Sequence, residues 1–442
     1  MKNLHKIFAA VFVLFLLALS SNAQTVQRAP RQERLLNGLK VLIWNEPAND
    51  RVMLRLRIHS GSAFDQQGKE GMMKILAETI FPNEQTREFF TEDLGGQLEV
   101  ISSYDHIQIN ASSRADAFLT MIETIASAVA TPAIEKETTD VVKQRLSALL
   151  DEAEESPEYI ADRAAAERLF GTFPYGRPEI GTRESLGRID FADIRFAYDR
   201  FFGADNATLT ISGKVDPSLA YRAARRYFGA WKKSDKLIAP TFRQPDAPDT
   251  SLKLVEAPGA GPGEVRYAVR GVARKDKDYA AFTVLTSILD SRIKAKAPAA
   301  HREHAFARSD AYILPGILMF GLSQIETPIN TGSASDAPEE KRSDGNIARI
   351  FDEKITQQEF SAAIAQIRLI RNGIDPVALW LDVDTYGLPS VKAENDAFAS
   401  VTLADVQRVA DRTKALPMVT VVVIREEPAR EEPQETAEQT EQ

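Results

Sequence analysis

The spacing of apolar residues predicts several short β-strands near the start of the chain. Apolar and other residues alternate from Val52 to Ile58, which is typical of a half-buried strand. Two further strand-like runs between Leu98 and Ser112 flank Tyr104-Asp105-His106. Asn37-Gly38 between apolar runs predicts a tight hairpin turn. Together these runs indicate strands joined in antiparallel hairpins.

Helical patterns lie between and after these strands. Ala115 to Ala130 has apolar residues on one helical face, and Ser156-Pro157 divides a longer helical region because Pro fits the first turn of a new helix. The predicted helices are Lys69 to Phe81, Ala115 to Ala130, two within Glu137 to Phe170, and Phe191 to Phe202, with a strand at Ala207 to Ser212. Antiparallel strands with this number of helices predict an α+β fold.

The same local pattern occurs twice along the chain. Ala192-Asp193-Ile194 matches Ala404-Asp405-Val406, and the strand Thr208 to Ile211 matches Thr420 to Val423, each at a spacing of 212 residues. A strand leading to Pro47 matches one leading to Pro258 at a spacing of 211 residues. Spacings that agree to within one residue at both ends of a segment indicate an internal repeat.

We therefore predict two homologous units, each an antiparallel sheet with helices packed on it. The first unit covers residues 31–235 and the second covers residues 250–424. A proline-rich join lies between Trp231 and Asp249. The length of 442 residues agrees with two domains of common size.

The N-terminus has the pattern of an export signal. Lys2 and Lys6 precede an apolar run from Ile7 to Leu19, and Ser21-Asn22-Ala23 supplies small residues at a cleavage site. The run is shorter than a typical membrane span. We predict a signal peptide over residues 1–23, cleavage near Ala23, and a soluble mature protein in the periplasm. An uncleaved membrane anchor is the alternative.

Charge and composition exclude several classes of protein. The acidic stretch 425–442 is predicted to be a disordered tail. The whole chain carries a formal charge of -9. Because no Lys/Arg-rich run accompanies this negative charge, nucleic-acid binding is not predicted. The absence of cysteine excludes disulfides, thiolate metal sites and thiol catalysis. A polar stretch at residues 327–345 is predicted to be a long loop.

Four stretches resemble one known protein family. They are Asn37 to Val41, Gly61 to Asp65, Tyr175 to Thr182, and Asn206 to Gly213 followed by Val215-Asp216. These strings resemble the pitrilysin/insulinase family of zinc metallopeptidases, which also includes mitochondrial processing peptidase and core subunits of the respiratory cytochrome complex. The third string is close to the family's Tyr-Gly-Arg-Pro-x-x-Gly-Thr. The resemblance covers nearly the whole mature chain and implies the family's two-unit α+β fold.

The catalytic motif of the family is degenerate here. Active members carry Gly-x-x-His-x-x-Glu-His on a helix, where the two histidines bind zinc and the glutamate is the general base. These three positions fall on Lys74, Ala77 and Glu78. Lys74 brings a positive charge, Ala77 cannot transfer a proton, and Glu78 is a lone carboxylate. The resemblance therefore implies no catalytic residue and no metal in this chain, and a Lys74–Glu78 salt bridge at i, i+4 is expected.

The remaining ligand positions do not restore a zinc site. The family's third ligand is a glutamate that falls near Glu152, Glu154 and Glu155, or on Ala148 or Leu149 when the alignment is fixed at Pro157. Two carboxylates beside a lysine do not make a zinc site.

The other histidines are not expected to bind metal. His59 is expected to point outward from its strand and His106 to lie at a hairpin tip, so both are predicted to be surface residues. His301 and His304 are three residues apart but have no third ligand nearby.

A substrate-binding pair is implied by the resemblance alone. In the second unit of the family, an Arg-Glu pair followed by a tyrosine contacts the peptide, and Arg302 and Glu303 match this pair. The tyrosine position falls on Arg308 or Ser309, with Tyr312 three residues further on. Arg302 is therefore a candidate substrate-binding residue, and a surface or interface ion pair is its alternative role.

The resemblance implies an exported noncatalytic subunit. Such a chain pairs with a zinc-bearing family member, contributes half of a peptide-binding chamber, and leaves zinc and hydrolysis to the partner, so no cofactor is expected in this chain. A homodimer remains open. The alternatives are a structural scaffold of the envelope without peptide chemistry, an active zinc metalloendopeptidase with displaced ligands, and, outside the family, a periplasmic solute-binding protein.

Overall fold

The computed structural model describes residues 29–234, 238–259, 261–325 and 347–425. The predicted signal peptide, the polar stretch 327–345 and residues 426–442 of the acidic tail lie outside this part of the chain. Within it, no helix is long and apolar enough to cross a membrane.

The first half of the chain forms a six-stranded sheet. Its strands are β1 (Arg31–Arg34), β2 (Lys40–Asn45), β3 (Arg51–Ile58), β4 (Gln97–Ser102), β5 (Ile107–Arg114) and β6 (Ala207–Gly213). The order is β1-β2-β6-β3-β5-β4. All neighbouring strands are antiparallel except β2 and β6, which are parallel. The predicted antiparallel sheet is thus a mixed sheet, because β6 returns to the side of β2 after a long helical crossover.

Helices of the first half fill the crossover and follow the last strand. They are α1 (Met72–Thr79), α2 (Glu84–Glu92), α3 (Phe118–Ala130), α4 (Lys136–Glu155), α5 (Pro157–Phe170), α6 (Arg183–Arg188), α7 (Phe191–Phe201) and α8 (Pro217–Phe228). The break at Ser156-Pro157 is confirmed: the Ser156 side chain accepts a hydrogen bond from the backbone N–H of Tyr159 and caps α5. The helix predicted from Lys69 begins later, because Gly71 adopts a left-handed conformation with φ 94°.

The second half repeats this arrangement. Its strands are β7 (Leu252–Ala257), β8 (Gly263–Arg270), β9 (Ala305–Asp310), β10 (Ile317–Ile325) and β11 (Val419–Arg425). Its helices are α9 (Tyr279–Lys296), α10 (Gln357–Asn372), α11 (Pro376–Tyr386), α12 (Val391–Ser400) and α13 (Leu403–Lys414). The order β7-β11-β8-β10-β9 is that of the first sheet without β1, and β7 and β11 are again parallel. The α+β fold with two similar units is therefore confirmed, while the unit boundaries at 31–235 and 250–424 stay predictions.

The repeat spacing of 212 residues holds for a helix pair but not for the strand that follows. Ile194 on α7 and Val406 on α13 are both buried against the helical side of their sheets. Leu209 on β6 also faces that side, whereas Val421, its match at 212, faces the opposite side. The strand match is wrong by one residue, because a shift of one position moves every side chain to the other face.

Each sheet is covered on one face by helices of its own half and on the other face by a helix of the opposite half. α5 packs on β8 and β11 of the second sheet, where its alanines meet Val421 and Val423. α11 packs on the first sheet, where Leu381 contacts Leu42 and Trp44. This exchange of two helices joins the halves through two apolar clusters, and no local pattern in the sequence predicts it.

Ion pairs reinforce both exchanged helices. On α11, Asp382 accepts from Arg57 of β3 at 2.7 Å, and Asp384 lies 2.8 Å from the ammonium of Lys40 on β2. On α5, Asp162 lies 2.7 Å from the guanidinium of the buried Arg266 on β8. In both cases, acidic residues on the exchanged helix therefore form ion pairs with basic residues on the sheet of the other half.

Candidate functional site

The start of α1 is fixed by two of the sequence stretches that carry the family resemblance. Asp65, at the end of the stretch Gly61 to Asp65, accepts hydrogen bonds at 2.8 Å from the backbone N–H groups of Gly71 and Met73. Arg177, within the stretch Tyr175 to Thr182, donates to the backbone carbonyls of Asp65 and Ala63 at 2.9 and 3.2 Å. Burial raises the pKa of Asp65 to about 7, although the two backbone N–H groups and Arg177 favour the charged form.

The three degenerate motif positions lie on α1 as predicted, and two of them interact. The Lys74 ammonium lies 3.3 Å from the Glu78 carboxylate, which agrees with the expected salt bridge. Ala77 is buried and has no polar side-chain atom. Glu78 also accepts from Arg145 of α4 at 2.7 Å and lies 3.7 Å from the Arg87 guanidinium of α2. Three cations therefore surround one carboxylate that is only 13% exposed.

This group of residues does not fit a zinc ion. Catalytic zinc needs three side-chain ligands of the His, Asp or Glu type and an open position for water. Within the residues that the structure describes, no three such side chains lie close enough together to hold a metal ion. A divalent cation next to Glu78 would also be repelled by Lys74, Arg145 and Arg87. The site is an ion cluster in which the cations take the place that a metal would need.

The expected third ligand is absent from the same face of α4. Arg145 is the α4 residue that reaches Glu78, and Ala148 and Leu149 follow one turn later, so the alignment fixed at Pro157 describes this face. Neither residue carries a carboxylate. Glu154 instead lies 3.2 Å from both the Arg163 and the Arg183 guanidinium groups, beside a cavity of about 680 Å³.

One carboxylate near the ion cluster was not predicted. Glu179 occupies an x position of the Tyr-Gly-Arg-Pro-x-x-Gly-Thr string, is half-buried, and interacts electrostatically with Lys74. Burial raises the pKa of Glu179 to about 7, and Lys74 opposes this shift. A variable motif position gives no signal for such a residue. Arg87 and Arg145 were missed for a different reason: their contact with Glu78 depends on how α2 and α4 pack on α1.

The tyrosine nearest the expected substrate clamp is part of the joint between the halves. The Tyr312 ring lies 4.5 Å from the Tyr175 ring and 5.2 Å from the Tyr104 ring, measured between centroids. The Tyr175 hydroxyl donates to Asp105 at 3.2 Å, and Asp105 also accepts from the backbone N–H of Ile313 at 2.8 Å. Burial raises the pKa of Tyr312. These contacts anchor the hairpin tip of the first sheet to the second half.

The candidate substrate-binding pair lies elsewhere on the surface. Arg302 and Glu303 are exposed on the 3-10 helix Ala299–His304. Neither side chain forms a hydrogen bond or ion pair with another residue of the described chain, and neither contacts Lys74 or Glu78. Arg308, one candidate for the family's tyrosine position, pairs with Asp162 of α5. A role of Arg302 and Glu303 in peptide binding stays a prediction.

The two histidines predicted to be surface residues are not surface residues. The ring nitrogens of His59 lie 3.1 Å from the hydroxyls of Thr385 on α11 and Thr208 on β6. Burial lowers the pKa of His59 from 6.5 to about 4, Asp384 favours the charged form, and Arg57 and Lys40 oppose it. Burial also lowers the pKa of His106 to about 3. His59 does project outward from its own sheet, but α11 of the other half covers that face.

Replacing His59 with glutamine is expected to make the free energy of unfolding depend less on pH below neutrality. Between pH 6.5 and 4 the unfolded chain binds a proton at His59 and the folded chain does not, so the free energy of unfolding falls as the pH falls. We expect the wild type to lose about 1–2 kcal/mol more than His59→Gln over this range, since the side chain is half-buried. Urea unfolding from pH 7 to 4.5 measures the difference.

Comparing the wild type with His59→Gln cancels the contributions of the other titrating groups to the pH dependence of stability. Asp65 and Glu179 have raised pKa values and act in the opposite direction in the same pH range, but they are present in both proteins. Parallel profiles for the wild type and His59→Gln would contradict the buried, neutral His59.

The arrangement defines a two-unit protein with the fold of a metallopeptidase and an ion cluster at the zinc position. Residues 40–183 match the family model of insulinase (peptidase family M16), and residues 188–367 match the model of the peptidase M16 inactive domain. The chain therefore belongs to peptidase family M16, and it is a peptidase-like homologue of the inactive kind.

Named proteins of other bacteria are similar to parts of this chain. A protein of Rickettsia bellii described only as an uncharacterized zinc protease is 22% identical over 210 residues, which are 46% of this chain and 50% of that protein. The non-peptidase homolog YmxG of Helicobacter pylori is 22% identical over 175 residues, 38% of this chain and 40% of YmxG. The chain thus spans about half the length of the first relatives that it matches.

Two solved structures share the fold over most of the chain. The crystal structure of a peptidase M16 inactive domain from Pseudomonas fluorescens superposes with a TM-score of 0.77 at 19% identity, covering 91% of this chain and all of that one. The periplasmic protease PqqL of Escherichia coli superposes with a TM-score of 0.68 at 14% identity, covering 90% of this chain and 48% of PqqL.

Proposed function

We propose that this protein is an exported, noncatalytic M16 subunit that pairs with a zinc-bearing family member and contributes peptide-binding surface to a shared chamber. Zinc and the hydrolytic chemistry belong to the partner. This chain has the fold that encloses the peptide but not the side chains that activate water.

The observation that carries the proposal is the ion cluster around Glu78. A metallopeptidase needs a general base next to its metal-bound water, and Ala77 stands at that position. Glu78 is already engaged by Lys74 at 3.3 Å and by Arg145 at 2.7 Å. Because these cations already serve as its counterions, the carboxylate needs no metal ion, and we assign the cluster a structural role.

The extent of the structural match supports a two-chain chamber. This chain covers 48% of PqqL, so a second chain of two units would be needed to reach the size of that protease. The exposed Arg302 and Glu303 have no partner among the described residues and are the candidates for contact with peptide. PqqL is described as periplasmic, which is in line with the export signal in residues 1–23.

Co-expression with the zinc-bearing M16 proteins of the same organism tests the proposal. We expect the chain to co-purify with one of them, zinc to be present at one ion per pair, and a peptide library to be cleaved only by the mixture. Glu78→Gln in this chain should leave that activity unchanged, whereas Glu→Gln in the partner's His-x-x-Glu-His motif should abolish it. Arg302→Ala should raise KM for peptide, with the exposed Arg368→Ala as the control.

Three outcomes would contradict the proposal. The first is chelator-sensitive peptide cleavage by this chain purified alone, which would instead support an enzyme with displaced ligands. The second is co-purification exclusively with envelope proteins that are not peptidases, which would support a scaffold. The third is a homodimer that neither binds peptide nor exchanges with a zinc-bearing chain.

A further inference from the structure

One face of the first half is strongly basic although the whole chain is acidic. Helix α8 has the sequence Pro-Ser-Leu-Ala-Tyr-Arg-Ala-Ala-Arg-Arg-Tyr-Phe and contains no acidic residue. Arg222, Arg225 and Arg226 are exposed on its outer side, while Ala220 and Ala224 pack into the core on its inner side. Lys232 and Lys233 follow the helix and are also exposed.

The turn between β1 and β2 extends this face and places an apolar residue on it. The Asn37 side-chain amide donates to the backbone carbonyls of Phe228 and Trp231 at 2.8 and 2.9 Å, which holds the turn against the end of α8. Leu36 precedes Asn37 in this turn and is fully exposed, with a relative solvent-accessible area of 107%. The Arg31 guanidinium lies 5.5 Å from the Tyr221 ring of α8, so β1 joins the same surface.

The cations of α8 and its C-terminal extension are not neutralised within the described residues, whereas Arg31 of β1 pairs with Glu33 at 2.8 Å. Among the described residues, no carboxylate forms an ion pair with the five cations of α8 and its C-terminal extension, namely Arg222, Arg225, Arg226, Lys232 and Lys233. The helix dipole stabilises cations near the helix C-terminus, which accounts for Arg225 and Arg226. That effect does not account for Arg222 in the middle of the helix, for the two lysines beyond it, or for an exposed leucine beside them.

We propose that this face docks on an anionic lipid bilayer. We define the α8 face as Arg34, Leu36, Arg222, Arg225, Arg226, Lys232 and Lys233. Lys and Arg side chains are attracted to an anionic membrane surface, and clusters of this size on a helix bind acidic lipid headgroups. Leu36 inserts among the headgroups, where burial of its apolar side chain adds to the electrostatic attraction.

The path of the chain agrees with this orientation. The apolar run Ile7 to Leu19 is separated from β1 by residues 20–30, and β1 is part of the surface that contains Arg34 and Leu36. Eleven residues span at most about 40 Å. In a form that keeps the predicted export signal, the short sequence distance between this apolar run and β1 would therefore favour an orientation with the α8 face towards the bilayer.

The exposed leucine separates a lipid surface from other polyanions. A nucleic acid or an acidic protein would be attracted by the arginines and lysines, but its phosphates or carboxylates gain nothing from Leu36. A bilayer uses both features. This inference concerns a surface away from Glu78 and Arg302 and stands independently of the proposed function.

Vesicle sedimentation with the purified full chain tests the proposal. We expect binding to vesicles of equal parts phosphatidylcholine and phosphatidylglycerol, no added binding to phosphatidylcholine alone, and release by salt because headgroup attraction is screened. The variant Arg222→Gln/Arg225→Gln/Arg226→Gln should bind the anionic vesicles at least about tenfold more weakly. The control Lys275→Gln/Lys354→Gln/Arg368→Gln removes the same charge from exposed sites in the second half and should bind like the wild type.

A second pair of variants tests Leu36 and guards against misfolding. Leu36→Ser should weaken vesicle binding but leave heparin binding unchanged, and Lys232→Gln/Lys233→Gln, which lies outside α8, should weaken both. All variants keep the same N-terminus, so the apolar run contributes equally. The proposal is overturned if the α8 variant and the control bind anionic vesicles alike, or if the wild type binds heparin or DNA but not these vesicles.

Discussion

Replacing Arg266 with alanine is expected to lower the free energy of unfolding by about 3–5 kcal/mol, because it leaves the buried Glu264 carboxylate without its cation. The Arg266 side chain is fully buried, with its guanidinium 2.7 Å from Asp162 of α5 and 2.8 Å from Glu264 of β8. It also donates to the Leu322 carbonyl at 3.0 Å. The substitution therefore breaks a network that joins α5 of the first half to the sheet of the second half.

Two controls separate this effect from the loss of any arginine. Arg302→Ala removes an exposed arginine without a partner in the described chain and should change stability by less than about 0.5 kcal/mol. The double variant Arg266→Met/Glu264→Gln removes cation and carboxylate together and should recover part of the loss, because no unpaired Glu264 charge remains. Guanidinium unfolding measures all three, and a loss of less than 1 kcal/mol for Arg266→Ala would contradict the buried network.

Replacing Glu78 with glutamine is the second change with a large expected effect. The substitution keeps the shape of the side chain but removes the carboxylate that Lys74, Arg145 and Arg87 share. Arg145 then has no other carboxylate partner among the described residues, whereas Arg87 keeps its ion pair with Glu84 at 3.3 Å and Lys74 keeps its interaction with Glu179. We expect a loss of about 2–3 kcal/mol, less than for Arg266 because the three cations are partly exposed to water. Thermal or urea unfolding at neutral pH measures the change.

The matched control for this prediction is Glu152→Gln on α4. Glu152 is exposed and the same charge is removed, so the stability should be nearly unchanged. Adding Lys74→Met to Glu78→Gln should restore part of the stability, since one of the opposing cations is removed. If Glu78→Gln were neutral in stability but abolished the activity of a reconstituted complex, the carboxylate would have a chemical role rather than the structural one proposed here.

Local features of the fold could be predicted because they depend on neighbours in the sequence. The cap at Ser156-Pro157, the strand from Val52 to Ile58 and the helix ending at Ala130 all follow from turn chemistry or from the periodicity of apolar residues. The repeat was visible for the same reason, since α7 and α13 preserve their buried positions. The strand match failed by one residue because consecutive strand positions face opposite sides, and the three consecutive valines in Thr420 to Val423 do not mark which side is which.

The candidate site was predicted only as far as it lies on one helix. Lys74 and Glu78 are four residues apart on α1, so their salt bridge follows from helix geometry alone. Arg145, 67 residues from Glu78, and Arg87 reach the same carboxylate only because α4 and α2 pack beside α1. The outward direction of His59 was inferred correctly. Its exposure to solvent was misjudged, because the covering helix α11 comes from the other half of the chain.

The sequence alone determined that this protein has the M16 pattern and lacks the zinc ligands, because motif identity and the chemistry of Lys74, Ala77 and Glu78 do not depend on the fold around them. The tertiary structure decided that α5 and α11 are exchanged between the halves, that three cations close around Glu78, and that scattered arginines and lysines form the α8 face. These features depend on contacts between residues far apart in the chain, which the periodicity of a single segment does not encode.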